Sequence, residues 1–261
     1  MFLKKQLLQF QLSTHNKEVK MKQLLFTIKE NVALTDSVYK MTLSGDTTDI
    51  KCGQFVNIKL DGLYLRRPIS VCDCEDGVLT LVYKVVGKGT EQMSRMKDGT
   101  LDILTGLGNG YDISLSGDKP LLLGGGVGVP PLYKLCKELI KEGKKPTVIL
   151  GFNTESEIFY ENEFKALGAE VKVTTADGSY GIKGFVTDAM KDMEYSYFYT
   201  CGPEPMLKAV YNTAKTSGQL SFEERMGCGF GACMGCSCNT KYGNKRICKD
   251  GPVLEKEEII W

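Results

Sequence analysis

The sequence predicts an α+β multidomain chain: a β-barrel, then an α/β parallel-sheet domain, then a small cysteine-rich unit. Three observations predict it. From Leu24 to about Gly110, short runs of branched and aromatic residues are separated by turn signals, the pattern of a barrel. After Lys119-Pro120, apolar runs alternate with amphipathic stretches, the pattern of a parallel sheet with crossover helices. Five of the ten cysteines fall in the last 34 of 261 residues. These signals divide the chain into an extension (1–20), a barrel (21–117), an α/β domain (118–218) and a cysteine domain (219–261).

The extension carries two lysines and a short apolar stretch. Gln6, Gln9 and Gln11 interrupt that stretch and no small-residue cleavage site follows, so it does not read as a signal peptide. Met21 is a second plausible start. The barrel strands are expected at Leu24–Ile28, Val38–Leu43, Phe55–Leu60 and Val78–Val86, with turns at Ser44-Gly45-Asp46, Asp61-Gly62 and Asp76-Gly77. Tyr64 to Ser70 reads as an arginine pair entering a turn, and Glu91–Met96 as a short helix. In the α/β domain, strands are expected at Leu121–Leu123, Thr147–Leu150, Val171–Thr174 and Tyr197–Thr200. Helices are expected at Pro131–Glu142, Glu161–Leu167 and Pro205–Lys215. The tail is too short to build its own core, so a metal centre is expected to organise it.

A formal net charge of +1 gives no electrostatic case for nucleic acid or a membrane surface. No apolar run approaches the length of a spanning helix. The expectation is a cytoplasmic protein with reduced thiols.

Cys228, Cys233 and Cys236 stand at a C-x4-C-x2-C spacing, with Cys248 twelve residues later. This is similar to the plant-type ferredoxin pattern that holds a [2Fe–2S] cluster. Gly229, Gly231 and Gly235 let such a loop turn backbone N–H groups toward sulfur. Structural zinc is the alternative, although it favours two short C-x2-C pairs and only one occurs here. Cys238 reads as a bystander, and Cys52, Cys72, Cys74 and Cys136 as buried packing residues.

Two segments suit a dinucleotide. Gly124, Gly125, Gly126 and Gly128 run from a strand into a helix that starts with Pro131, where backbone can approach a pyrophosphate. Cys201, Gly202 and Pro203 form a second turn after the last strand, at the same sheet edge. An ordinary tight turn is the alternative for each. No lysine or arginine closely follows Gly151–Ser156, so NAD is expected over NADP. In the barrel, Arg67 offers a rigid phosphate fork, Pro68 fixes the backbone, and Ser70 brings a hydroxyl. Gly89 and Thr90 lead into the short helix, a second place for phosphate.

Arg67-Pro68-Ile69-Ser70, Gly89-Thr90, the glycine run to Gly128 and Cys201-Gly202-Pro203 together resemble the ferredoxin–NADP reductase superfamily in order and spacing. The resemblance implies FAD on the barrel and a nicotinamide nucleotide on the α/β domain. It puts Arg67 on the FAD phosphate and Ser70 near the flavin ring. Val82, Tyr83 and Lys84 would line the flavin, Gly89 and Thr90 would bind its phosphate, and Cys201 would lie beside the nicotinamide. A closer resemblance runs from Met21 onward. Leu65–Ser70, Gly124–Tyr133, Thr175–Gly181, Glu224–Cys233 and Cys248–Val253 resemble the electron transfer subunits of NAD-dependent dihydroorotate dehydrogenase, type B.

That family implies FAD, a [2Fe–2S] cluster held by Cys228, Cys233, Cys236 and Cys248, and NAD as co-substrate. It also implies an FMN-containing catalytic partner in a two-plus-two heterotetramer serving pyrimidine synthesis. Electrons would pass from the partner through the cluster and FAD to NAD. One departure is Thr105–Gly110, where the family usually has Gly-Pro before the leucine; a local backbone change is expected there. The chain shows no obvious base for a carbon substrate, and its one histidine, His15, lies in the extension. Two other readings stand beside this one. The first is an NAD(P)H oxidoreductase subunit serving ferredoxin, a sulfur reductase or a hydrogenase. The second is a zinc-stabilised nucleotide-binding module.

Overall fold

The computed structural model describes residues 21–261; the proposed extension 1–20, with His15, lies outside the described residues. Six strands close a barrel: β1 (Lys22–Ala33), β2 (Val38–Ser44), β3 (Phe55–Ile58), β4 (Arg67–Glu75), β5 (Val78–Lys84) and β6 (Thr100–Leu107). Their order is β1-β2-β5-β4-β3-β6, with β6 pairing back onto β1. Alternate side chains such as Met41, Leu43, Leu79, Leu81 and Ile103 fill the interior with no solvent exposure.

Strand β4 takes in Arg67–Ser70, which by sequence reads as an arginine pair before a turn or a phosphate site. Pro68 has no N–H to donate, which the interior of a sheet would require. The register resolves this. Residues 67–70 pair only with β3, and β4 meets β5 only from Val71 onward. Pro68 therefore sits on a locally free edge, where its missing donor costs nothing, and the free edge faces a cleft. Helix α1 (Lys88–Ser94) follows β5 and starts three residues earlier than expected.

The second half is a seven-stranded sheet in the order β10-β9-β8-β7-β11-β12-β15. Its strands are β7 (Pro120–Gly125), β8 (Thr147–Phe152), β9 (Glu170–Thr175), β10 (Ile182–Lys183), β11 (Tyr197–Cys201) and β12 (Gly218–Ser221), with β15 (Val253–Glu255) added from the tail. All neighbours are parallel except β15, which runs antiparallel to β12. Helices α2 (Pro131–Lys141), α3 (Glu161–Ala166), α4 (Val186–Met190) and α5 (Glu204–Thr213) connect the strands. In α2, Leu132, Leu135, Cys136 and Leu139 form one buried stripe at helical spacing. Strand order reverses around β7, which opens a crevice at the carboxyl ends of β7 and β11.

The two halves share a core. Cys52, Cys72 and Val82 of the barrel pack in one cluster with Leu122 and Tyr199 of the sheet and Leu135 of α2. Polar contacts reinforce the joint: Lys137 pairs with Asp73 at 3.0 Å, Lys141 with Glu75 at 3.2 Å, and Lys134 donates to the Cys74 carbonyl at 3.2 Å. The barrel edge is thereby held beside the crevice of the sheet.

The tail folds as a hairpin, β13 (Ser237–Thr240) and β14 (Gly243–Arg246), before β15. The boundary read between 218 and 219 falls within β12, because pairing of β12 with β11 and β15 is non-local and leaves no mark on the sequence. The tail also does not depend on a metal centre alone. Ile247, Leu254 and Ile259 are buried in the same cluster as Leu121, Phe198 and Leu220 of the sheet.

Candidate cofactor cleft and cysteine centre

The free edge of β4 and the carboxyl ends of β7 and β11 border one cleft of about 890 Å³. Arg67, Pro68, Ile69, Ser70, Val82, Tyr83, Lys84 and Thr90 line its barrel side. Gly125, Gly126, Gly128, Cys201, Gly202 and Pro203 line its sheet side. Two of the glycines stand one layer back. Gly89 lies against Arg67: a Cβ there would stand 2.2 Å from the Arg67 Nε. The start of α1 therefore leaves room for the guanidinium, and two motifs 22 residues apart become one surface. Gly124 packs on Val129 and Leu132, where a Cβ would fall within 2.9–3.1 Å of both.

Several lining groups are already engaged. The Thr90 hydroxyl accepts from the Val86 N–H at 2.9 Å and donates to the Gly87 carbonyl at 3.1 Å, so it fixes the turn into α1. Tyr83 donates to Asn31 Oδ1 at 3.0 Å and stacks on Tyr39. Burial pushes its phenol up to about 12. Both hydroxyl protons already go to protein acceptors.

On the sheet side, β7 leads through a 3-10 turn (Gly126–Gly128) before α2 begins. The two predicted dinucleotide turns touch. A Cβ on Gly128 would stand 2.2 Å from the Cys201 carbonyl oxygen, and one on Gly125 would stand 2.5 Å from Met206 Sδ. The close approach follows from pairing of Cys201 with Gly124 across β11 and β7. Burial pushes the Cys201 thiol up to about 12, so it remains a thiol at neutral pH and supplies no nucleophile.

Four of the five tail cysteines form two pairs. Cys228 and Cys233 are joined near the surface by the Cys233 N–H donating to Cys228 Sγ, and Cys236 and Cys248 in the interior by the Cys248 N–H donating to Cys236 Sγ. Cys228 Sγ accepts from the N–H of Ala232 at 3.2 Å and of Cys233 at 3.4 Å. Cys233 Sγ accepts from Gly235 N–H at 3.5 Å, and Cys236 Sγ from Cys248 N–H at 3.4 Å. Burial alone would raise the Cys228 thiol; the backbone N–H groups of Cys233, Phe230 and Ala232, with the Cys233 thiol, outweigh it and bring it down to about 6. Positive φ at Gly229 (80°) and Gly231 (89°) turns these donors inward.

A [2Fe–2S] core spans two irons with two thiolates each, and pairs flanked by N–H donors suit it. Cys238 sits on β13, opposite Lys245, outside the two pairs.

Sequence reasoning missed the residues that bind the cysteine lobe together and to the rest. Arg246 joins its two ends: its Nε donates to Asp250 Oδ2 at 2.9 Å and its Nη1 to the Gly231 carbonyl at 3.0 Å. Asn109 holds the segment after Cys248 to the barrel. Its N–H donates to the Gly251 carbonyl at 2.7 Å, its Nδ2 donates to the Val253 carbonyl at 2.7 Å, and its Oδ1 accepts from Val253 N–H at 3.1 Å. Asn109 stands just after β6, and its backbone and side chain together form a dock for the tail. Phe55, Glu157, Phe222 and Met226 also line the cleft. No spacing marks Phe55 or Phe222, whereas Met226 lies in a stretch the resemblance had flagged.

This architecture is that of a ferredoxin-reductase-type oxidoreductase carrying an extra thiol-rich lobe. Residues 122–212 match the family model for the oxidoreductase NAD-binding domain, and 223–260 match the iron–sulfur cluster binding domain of dihydroorotate dehydrogenase B. The chain is 46% identical over 252 residues to the dihydroorotate dehydrogenase B (NAD(+)) electron transfer subunit of Fusobacterium nucleatum, covering 89% of this chain and 96% of that one. It is 43% identical to the same subunit of Bacillus pumilus, covering 92% and 98%. A solved structure of NADH-dependent reduced ferredoxin–NADP oxidoreductase superposes with a TM-score of 0.83 at 32% identity, covering 90% of each chain. The chain belongs to the family of electron transfer subunits of dihydroorotate dehydrogenase B (NAD(+)), as an NAD-linked oxidoreductase subunit.

Proposed function

We propose that this chain carries electrons from an FMN-containing catalytic subunit, which oxidises dihydroorotate, through its own [2Fe–2S] cluster and FAD to NAD. The cluster exchanges single electrons, the nicotinamide takes a hydride, and the flavin converts between the two. The observation that carries the reading is the shared cleft: the free β4 edge and the two dinucleotide turns face each other across it, and the cysteine lobe closes one side with Met226 and Pro252.

Each part of the chain has a definable task. Arg67, braced by Gly89, offers its fork to the FAD phosphate. Ile69 and Ser70 on the free strand edge face the flavin ring, and Val82 closes the pocket floor. The Gly125–Gly128 turn and the Cys201-Gly202-Pro203 turn receive the nicotinamide nucleotide. Glu157 supports NAD over NADP. It lines the cleft after β8, and Asn153 orients its carboxylate through Nδ2 at 2.9 Å and N–H at 3.2 Å. A carboxylate there accepts a ribose 2′-hydroxyl and repels a 2′-phosphate. Cys228, Cys233, Cys236 and Cys248 hold the cluster, and their backbone donors stabilise the added charge.

The partner docks near the exposed Cys228–Cys233 side, and two copies of each subunit make a heterotetramer in the cytoplasm, serving pyrimidine synthesis. The thiols, none of them in a disulfide, fit that reducing compartment. The test is Cys233→Ser in the complex. Transfer from dihydroorotate to NAD is lost while FAD stays bound; normal transfer would refute the relay order. A second reading is an NAD(P)H oxidoreductase subunit serving ferredoxin, favoured by the 32% identity to the ferredoxin-linked enzyme. Reduced ferredoxin, supplied without dihydroorotate, would then drive NAD reduction.

A further inference from the structure

We propose that Asn57 is a positioning residue that seats the Cys228 end of the cysteine loop on the flavin-facing side of the barrel, fixing the separation of the two redox centres. The proposal rests on the reading that this chain holds both a flavin and a cluster. Asn57 lies on β3 directly opposite Pro68 of β4, two residues from the Phe55–Ser70 pair. It is only 1% exposed, an unusual place for an amide inside a barrel wall. Its Nδ2 donates to the Cys228 carbonyl at 3.3 Å, across 171 residues of sequence.

Three further observations show that this joint is built. Gly229 adopts a φ of 80°, and a Cβ there would stand 2.3 Å from Asn57 Nδ2, so the loop approaches as closely as only glycine permits. Asn57 Oδ1 has no hydrogen-bond partner, so the amide is oriented by the Cys228 carbonyl alone; the flipped amide would oppose two oxygens. The Asn57 carbonyl accepts from Arg66 Nη1 at 3.3 Å, and Arg66 is itself held by the Asp102 carboxylate at 2.9 Å. Arg66 immediately precedes Arg67. The chain of contacts therefore runs from the flavin strap through Asn57 to the first cluster ligand without a gap.

Removing the amide donor unseats the loop without altering a cluster ligand or a flavin contact. Asn57→Asp keeps the shape and sets a carboxylate against the Cys228 carbonyl. Asn57→Leu keeps the barrel filled. Both full-length variants are purified anaerobically with the partner subunit, beside the wild type. Expected are unchanged FAD content, iron release to a chelator faster by roughly fivefold or more, as loss of one buried hydrogen bond from a local opening step predicts, and a weakened magnetic coupling between the reduced cluster and the one-electron-reduced flavin radical. A role confined to barrel packing would leave that coupling and the iron release of Asn57→Leu at wild-type values, and that result overturns the proposal. Loss of FAD from both variants overturns it too, by making Asn57 part of the flavin site. Wild-type protein without iron would instead sink the underlying reading of function.

Discussion

Replacing Gly128 by alanine tests whether the two dinucleotide turns must touch. The new Cβ would stand 2.2 Å from the Cys201 carbonyl oxygen and 2.6 Å from Gly202 Cα, both backbone atoms that cannot swing aside. Ordinary contact begins near 3.4 Å, so one turn must retreat by about 1.2 Å, the difference between the two. Both turns are tied into the sheet by the pairing of β7 with β11, so the retreat is resisted. Overpacking of this kind costs about 1–3 kcal/mol. If that strain falls on the nucleotide-bound state, nicotinamide affinity drops by roughly 5- to 150-fold. The assay is NADH oxidation with ferricyanide as acceptor, which needs no partner subunit, alongside the flavin absorbance per chain. The expected result is a KM for NADH raised by that factor with full FAD content. A variant with wild-type KM would refute the placement of the nucleotide between these turns.

Cys248→Ser should remove iron and leave FAD in place, whereas Cys238→Ser should retain both, as measured by metal and flavin content. Asn109→Ala takes the side-chain partners from the Val253 N–H and from the Val253 and Asp250 carbonyls, which should cost about 1–3 kcal/mol; limited proteolysis should then cut the tail faster while the barrel persists. Cys201→Ser should keep NADH oxidation within a few-fold of wild type. Because burial raises the Cys201 thiol to about 12, its ionisation begins only well above the usual thiol range. The rate should therefore show no thiol-dependent step between pH 7 and 9, and a step there would contradict its neutral role.

The sequence made the local devices legible and left the non-local ones hidden. The glycine turn at Gly125–Gly128 and the spacing of Cys228, Cys233 and Cys236 are short-range patterns; the first lines the cleft, and the second falls on one loop whose cysteines divide between two pairs. The start of β4 carries Pro68, and a strand there is possible only because β5 begins to pair at Val71. β12 and β15 are only three or four residues long and exist because they extend another strand's edge. α4 spans five residues, too few for a helical period to register. Asn57, Asn109 and Arg246 carry no motif at all. Each is a polar residue whose partner lies on a remote or folded-back segment, so only the assembled chain reveals what it holds.

The most direct measurement is the count of iron, acid-labile sulfide, zinc and FAD per chain after oxygen-free purification with the catalytic partner. Two thiol pairs and one shared cleft predict two irons, two sulfides and one FAD for each chain, with zinc absent. Stoichiometric zinc, or FAD without iron and sulfide, would contradict the account.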